Sequence, residues 1–493
     1  MRPTPLLAAL LAAASLLGCS DSGGPNLTGI NPVSILDVTV IPGVDTLFVP
    51  DTITGGEQLA LVAIVETRAG PRTDLPIAWS SSEPAVATVD DEGLVTARGY
   101  GTAVISASAS KVGTATITVA PLFDADTLPN VLVAVSGGDA FSCGLTERDR
   151  VYCWGRNSLG QLGGLQPDTV CVNEYLGSRD EEPCALIPVR VGGGPYLQVA
   201  GGAEHACAIR IDGRAFCWGA GEEGRLGNGT LTDRSEPTLV SGAHRFVTVT
   251  TGGAHSCALT EAGAAWCWGF DLVGQLGNSL QATSTTPIPV DGGRAFRAIS
   301  AGALHTCGLT TDGEALCWGS DGSGQLGNGG AGTSLTPVPV QTGVRFTAIS
   351  AGRAHTCALA AGGQLYCWGA GTDGQITGTP TTNSPTPVQV PGTWTQVAAG
   401  GSHTCAASSS GVSCWGRYDL GAMGREGVGA SGNTAPTTVL TEAVTTLTAG
   451  ERHACAVLAA GGTRCWGSNV MGSFGDGLQA LLRRTPVAVR PLS

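Results

Sequence analysis

The residues that could do chemistry in this chain are cysteines and histidines at fixed spacing. Fourteen of the seventeen cysteines form seven pairs: Cys143 with Cys153, Cys207 with Cys217, Cys257 with Cys267, Cys307 with Cys317, Cys357 with Cys367, Cys405 with Cys414, and Cys455 with Cys465. Six of the seven histidines, His205, His255, His305, His355, His403 and His453, each stand two residues before the first cysteine of a pair. Metal ligation and thiol oxidation are the two chemistries open to such a set. Structural zinc sites space their paired cysteines two to four residues apart, which the nine intervening residues of most pairs do not match. Oxidation fits the geometry better. Thr311-Asp312-Gly313 suits a three-residue hairpin loop with Gly313 in the left-handed region. Closing that hairpin at Thr310 and Glu314 and counting outward sets Cys307 opposite Cys317 on a non-hydrogen-bonded pair, where Cα atoms lie ~4.5 Å apart, within reach of a disulfide. Loop-closure arithmetic gives each bridge at most about 3 kcal/mol.

An eighth pair, Cys171 with Cys184, lies in the single large insertion, roughly residues 164–186. This insertion also carries Asp168, Glu174, Asp180, Glu181 and Glu182, with Arg179 among them. It reads either as a stapled acidic loop offered to a basic partner or a calcium ion, or as a solvated surface loop that its disulfide holds in shape. The six histidines invite a shared metal or acid–base site. Each shares a strand face with the cysteine two residues on, a face expected to pack against the next repeat, so the imidazoles should be spread apart and bonded locally. No nucleophile elbow, phosphate loop or zinc-protease helix is present. The expectation is therefore a protein that is not an enzyme, with no catalytic residue, no metal and no cofactor.

The elements that must position these residues are repeats. One copy runs Ile299-Ser300-Ala301-Gly302-Ala303-Leu304-His305-Thr306-Cys307-Gly308-Leu309, reaches Cys317-Trp318-Gly319, turns through Gly324-Gln325-Leu326-Gly327 and ends in a strand around Pro337-Val338-Pro339-Val340. Trp-Gly dipeptides keep step at Trp154, Trp218, Trp268, Trp318, Trp368, Trp415 and Trp466. A period near 50 residues holding about four short strands is the signature of a propeller blade. Composition agrees: 75 glycines, ten tryptophans and a single lysine, Lys111, indicate an all-β chain. The net charge of −13 argues against nucleic-acid binding, which draws its affinity from basic surfaces.

These motifs, over residues 130–493, resemble the regulator of chromosome condensation repeat, whose members are seven-bladed β-propellers. The copies depart locally from the pattern, with Phe141 in place of histidine in the first, and Gly374-Gln375-Ile376-Thr377, Gly421-Ala422-Met423-Gly424 and Gly472-Ser473-Phe474-Gly475 in the last three. The closing strand Thr485-Pro486-Val487-Ala488-Val489 matches the Pro-Val strand of the other copies and is expected to join the first blade, clasping the ring.

Residues 33–120 lack cysteine and alternate as short strands. Trp79-Ser80-Ser81-Ser82-Glu83-Pro84, Val86-Ala87-Thr88-Val89-Asp90, Gly93-Leu94-Val95-Thr96-Ala97 and Gly101-Thr102-Ala103 resemble the bacterial immunoglobulin-like group 2 domain. That resemblance implies a small N-terminal β-sandwich with Trp79 in its core. At the start, Arg2 precedes an apolar run from Leu6 to Leu17, about the length of a signal-peptide core and too short to span a bilayer. Leu16-Leu17-Gly18-Cys19 resembles a lipobox, which implies a lipoprotein signal peptide over 1–19, lipidation of Cys19 and a flexible tether over 20–32.

The expected protein is thus an exported, lipid-anchored monomer of the bacterial cell envelope, at the outer membrane or cell surface. It meets the membrane only through its lipid, binds no nucleic acid, and holds a protein or glycan partner through its propeller loops. Two other functions compete. One is guanine nucleotide exchange, implied by the family and disfavoured by export. The other is a propeller enzyme acting on cell-wall or extracellular polysaccharide, which would need paired carboxylates. Trp394, Tyr418 and Phe474 lie outside the repeating tryptophan positions and are candidates for an aromatic binding face.

Overall fold

In the computed structural model, residues 35–41, 44–49, 58–67, 70–72, 75–98, 101–121, 131–164, 169–173, 180–417, 422–424, 435–490 and 492 are described. The proposed signal segment, Cys19 and the tether lie outside them. The chain divides into two units, Met1–Asp124 and Ala125–Ser493.

In the first unit, short strands of alternating burial form three sheets. Ile35–Ile41, Val62–Thr67 and Gly70–Arg72 make one. Val44–Val49, Val112–Pro121, Gly101–Ser108 and Ala78–Ser81 make the second. Gln58–Ala60, Leu94–Ala97 and Ala87–Val89 make the third. Their inward residues, among them Val38, Val65, Val95, Ile105 and Ile117, close one core, and Trp79 packs half-buried against it. Gly93 sits at φ +83°, and a side chain there would meet both the Trp79 ring and the Leu61 carbonyl.

In the second unit, seven sheets follow one another along the chain. The fourth blade shows how the repeat builds one. Phe296–Ala301, His305–Thr310, Ala315–Gly319 and Ser334–Pro339 pair antiparallel in that order. The hairpin closes as its sequence requires: Thr310 N–H donates to the Glu314 carbonyl at 2.9 Å, and Gly313 adopts φ +84°. Cys307 therefore faces Cys317 with Cα atoms 4.1 Å apart and is bonded to it. The other blades repeat this arrangement. Cys143 is bonded to Cys153, Cys207 to Cys217 and Cys257 to Cys267, each pair directly opposed on neighbouring strands. Cys357 is bonded to Cys367, Cys405 to Cys414 and Cys455 to Cys465 in the same way. The sixth pair is one residue closer in sequence, 9 apart against 10, because its hairpin loop is shorter, yet its cysteines still face each other. The insertion's bridge, Cys171 to Cys184, is also formed. The second strand of each blade is buried at nearly every position, and the seven repeating tryptophans are fully buried. The first strands line a central channel.

Ring closure departs from the sequence expectation. The last strand, Ala480–Ala488, pairs with Thr463–Asn469 of the seventh blade, not with the first blade. The first blade needs no donated strand. Leu132–Gly137, Phe141–Thr146, Val151–Arg156 and Asp180–Arg190 already supply four, and Val170–Asn173 from the insertion adds a fifth. Closure comes instead from contacts between whole blades. Leu132, Val135, Tyr152 and Trp154 pack with Val457 and Phe474. Trp154 Nε1 donates to the Ser473 carbonyl at 2.9 Å, and Thr446 Oγ1 to the Val133 carbonyl at 3.0 Å.

Candidate functional site

The histidines are joints between blades. Five of the six histidines that begin a strand meet a hydroxyl residue of the next copy. His205 Nε2 meets Ser256 Oγ at 2.8 Å, His255 meets Thr306, His305 meets Thr356 and His355 meets Thr404 at 2.9 Å, and His453 meets Ser142 at 2.8 Å, which spans the closure. The hydroxyl in turn donates to a carbonyl in the Gly-Gln-Leu-Gly turn of the preceding blade. Thr306, Thr356 and Thr404 reach the carbonyls of Gln275, Gln325 and Gln375. The same carbonyls accept the indole N–H of Trp318, Trp368 and Trp415. Burial holds the imidazoles neutral: it lowers His255, His355 and His453 to about 3, and His305 and His403 to about 4. The six rings are therefore distributed around the molecule and engaged in structure, and they do not converge.

The channel is lined by small residues, and its hydroxyls are also engaged. Ser136, Thr250, Ser300, Ser350 and Thr448 each accept an N–H from the adjoining blade at 2.9 to 3.1 Å. At one mouth, the Gly-x-x-His turns form a ring of backbone bonds: Ala203, Gly253, Ala303, Arg353, Gly401 and Glu451 donate to the carbonyls of Gly252, Gly302, Gly352, Gly400, Gly450 and Gly138. The glycines are required there, because a Cβ at Gly302 would strike both the His305 ring and the Gly352 carbonyl.

The side chains of these turns are where the copies differ. Asp139, Arg353, Glu451 and Arg452 line the mouth of a cavity of about 490 Å3. Arg353 Nη1 bridges to Glu451 Oε1 at 2.7 Å, passing over the small Gly401-Ser402 turn of the sixth blade. Glu204 faces Arg156 at 3.6 Å and Arg225 at 3.5 Å. Burial raises the Asp139 and Glu451 carboxyls, and nearby arginines oppose that shift. The third and fourth blades offer only Gly253-Ala254 and Ala303-Leu304, with Leu304 exposed. The mouth is thus charged on one side and small and apolar on the other.

The insertion singled out in the sequence sits elsewhere in the design. Asp168 and Glu174 lie outside the described residues, and Asp180 opens the long outer strand. Glu181 is exposed, whereas Glu182 is half-buried and paired with Arg156 Nε at 2.5 Å. The disulfide of Cys171 and Cys184 is buried against Val470 and Met471 of the seventh blade, and Gln479 Nε2 donates to the Val172 carbonyl at 2.7 Å. The insertion therefore braces the junction of the first and last blades. Among the described residues, no group of three or more His, Cys, Asp or Glu could hold a metal ion. Trp394 packs on Trp415 and Phe474 fills the closing core, so neither forms an aromatic face; Tyr418 lies outside the described residues.

What the sequence reading missed is the hydroxyl column beside the histidines. Its signal is present in the departures. Phe141 replaces histidine where the next copy has Ala206, so both halves of that joint are missing together. His403, by contrast, faces a copy that has Ala454.

Sheets arranged around a channel, packed face against face and joined by repeated side-chain bonds, define a β-propeller. The chain belongs to the RCC1-like domain family, whose profile matches residues 87–394 and 172–493; a bacterial Ig-like domain (group 2) profile matches residues 50–119. The ultraviolet-B receptor UVR8 of Arabidopsis thaliana is 34% identical over 110 residues, 22% of each chain. The probable E3 ubiquitin-protein ligase HERC4 of Rattus norvegicus is 33% identical over 110 residues, 22% of this chain and 9% of that one. The match therefore spans less than a quarter of either relative. Among solved structures, human WBSCR16 superposes with a TM-score of 0.60 at 23% identity, covering 69% of this chain and 94% of that one. Prp20p of Saccharomyces cerevisiae, reported with its binding properties toward Gsp1p and histones, gives 0.59 at 21% identity, covering 73% and 87%.

Proposed function

We propose that this protein is an exported lipoprotein, anchored through Cys19 at the bacterial cell envelope, whose propeller is a non-catalytic scaffold that captures a partner protein at the charged mouth of its channel. The observation that carries this reading is the division of labour in the repeat. The shared histidines, hydroxyls, tryptophans and cysteines hold the ring together, while the turn residues that vary, Asp139, Arg353, Glu451 and Arg452, gather at one mouth. Loops on a rigid scaffold are where binding specificity resides. Eight disulfides fit an oxidising compartment. Prp20p, with its binding to Gsp1p and histones, is a precedent for protein capture on this fold. Labelling with radioactive palmitate should mark the wild-type chain and spare Cys19→Ser. Affinity capture from an envelope extract with the full chain should retain a partner that Arg353→Glu and Arg452→Glu release. A partner held equally by those variants places capture elsewhere.

A further inference from the structure

The third blade departs from its neighbours in the turn that follows its Trp-Gly strand. The second blade has Glu222-Glu223 there, the fourth Gly322-Ser323 and the fifth Thr372-Asp373, but the third has Leu272-Val273. Further along the same turn stands Leu280, where the second and fourth blades have Thr230 and Gly330. Leu272 is 61% exposed and Leu280 is 71% exposed, so neither serves the core. The two share one surface. Gln281 Nε2 donates to the Leu272 carbonyl at 3.3 Å, and Ser279 N–H donates to the Leu335 carbonyl at 3.1 Å. Leu335 of the fourth blade lies against this turn, with its Cδ2 closing the space beside Gly274. Exposed Leu304 adjoins the same turn, because its carbonyl and the Gln275 Cα both close on Gly319. Half-buried Phe270 and Val273 complete an apolar patch across the junction of the third and fourth blades.

The backbone is strained to hold this shape. Among the described residues, five other than glycine have positive φ, and three of them, Glu223, Ser279 and Gln281, stand in the patch or on its rim. Ser279, at φ 64°, occupies the place of Gly229 and Gly329, which adopt such values without steric cost. Side-chain bonds pin the strained segment, from Ser279 Oγ to Asp291 Oδ2 and from Gln281 to the Leu272 carbonyl. Leu280 is thus fixed outward between two strained residues, and strain of this kind gathers at ligand-binding sites. Exposed apolar patches rimmed by polar residues mark interaction surfaces. The rim selects the occupant. The turns that build the patch, residues 270–283, 302–304 and 320–335, hold no lysine or arginine. Glu222 and Glu223 are exposed on the second blade's turn, where a side chain at Gly224 would strike Ser284 and Thr285 of the third blade. That rim repels an anionic membrane surface, and two copies paired through the patch would set like charges against each other. We infer that the patch docks a segment of another protein in which large apolar side chains are flanked by lysine or arginine. The apolar side chains rest on Leu272, Leu280 and Leu304, and the cations face Glu222 and Glu223. The patch does not include Arg353 or Arg452, so this inference does not rest on capture at the channel mouth.

The test uses the full chain and a capped Lys-Leu-Leu-Lys-Leu-Lys peptide, followed through the leucine methyl signals of the protein. Saturable shifts should appear at Leu272, Leu280 and Leu304, with an affinity that falls as salt is added. Leu280→Ser should weaken binding at least fivefold. Glu222→Gln with Glu223→Gln should weaken it severalfold and flatten the salt dependence. These changes fall at exposed positions and should leave the melting temperature unchanged, which separates loss of the site from loss of the fold. Arg353→Glu with Arg452→Glu should bind the peptide no more weakly than wild type; loss of binding there places the peptide at the channel mouth and overturns the assignment. Equal affinity for a capped Glu-Leu-Leu-Glu-Leu-Glu peptide, or unchanged binding by Leu280→Ser, also overturns it. So does dimerisation in sedimentation that Leu280→Ser abolishes, since the occupant is then a second copy of this chain.

Discussion

At the scale of single residues, a buried imidazole has two nitrogens to satisfy, and the neighbouring blade supplies the partner for one. Thr356 links His305 Nε2 and the Gln325 carbonyl at 2.9 and 3.0 Å. Replacing it with valine keeps the volume and removes both bonds. We expect Thr356→Val to lose about 1–3 kcal/mol in guanidinium unfolding, the cost of leaving buried polar groups unpaired. Ala206→Thr should give no gain, because Phe141 offers no N–H donor to the new hydroxyl, and added bulk at a fully buried site costs stability. Much of this scale was legible in the sequence. Cysteine pairing followed from counting along a hairpin. The structural role of histidine followed from its strand face. The hydroxyl partner did not follow, because it lies about 50 residues away and one blade over, and spacing within a copy says nothing about contacts between copies.

At the scale of elements, the insertion is a brace. Its acidic run suggested an offered loop; its described strands carry a bridge between Cys171 and Cys184 that is buried on Val470 and Met471, while Glu181 is exposed. Charge and length are visible in sequence, whereas the apolar surface on which a buried disulfide packs is not. Changing both Cys171 and Cys184 to serine should cost up to about 3 kcal/mol. The loss should be local, with faster hydrogen exchange around residues 470–479 than in the third to fifth blades. Uniform acceleration across all blades would contradict the bracing role. Glu182→Gln, which loses an ion pair at a partly exposed position, should cost less than about 1 kcal/mol.

At the scale of the whole molecule, six buried histidines act together on stability. Each is held neutral in the native ring, while in the unfolded chain each binds a proton as the pH falls below about 6.5. A group that takes up protons only on unfolding favours the unfolded state in acid. Stability should therefore be full above about pH 6.5 and decline as the pH falls toward about 3–4, with a slope of up to about 1.4 kcal/mol per pH unit for each histidine. The depressed Asp212 carboxyl, lowered to about 2, adds its own loss only below the ordinary aspartate range, so the two effects separate. Denaturant midpoints measured between pH 8 and 4 should show the decline, and replacing His305 and Thr356 together by leucine and valine should reduce its slope by one histidine's share, up to about 1.4 kcal/mol per pH unit. Thiol titration of the native chain should find none of the sixteen paired cysteines reactive. The repeat count and the all-β architecture were readable from periodicity alone, but closure was not. A terminal strand that resembles every other outer strand pairs equally well with either end blade on paper, and the first blade's extra strand decides the matter.

Because each propeller sheet is drawn from one stretch of chain, no described strand of one blade is borrowed from another. Cutting the chain between any two blades and joining the old ends should therefore leave every sheet intact. By the same logic, a gene segment that encodes one blade is a transferable cassette. Grafting residues 396–440 into a related propeller would carry the Gly401-Ser402 turn and His403 with it, along with Arg417. Duplication of such a segment lengthens the ring by a whole sheet without rethreading what is already there.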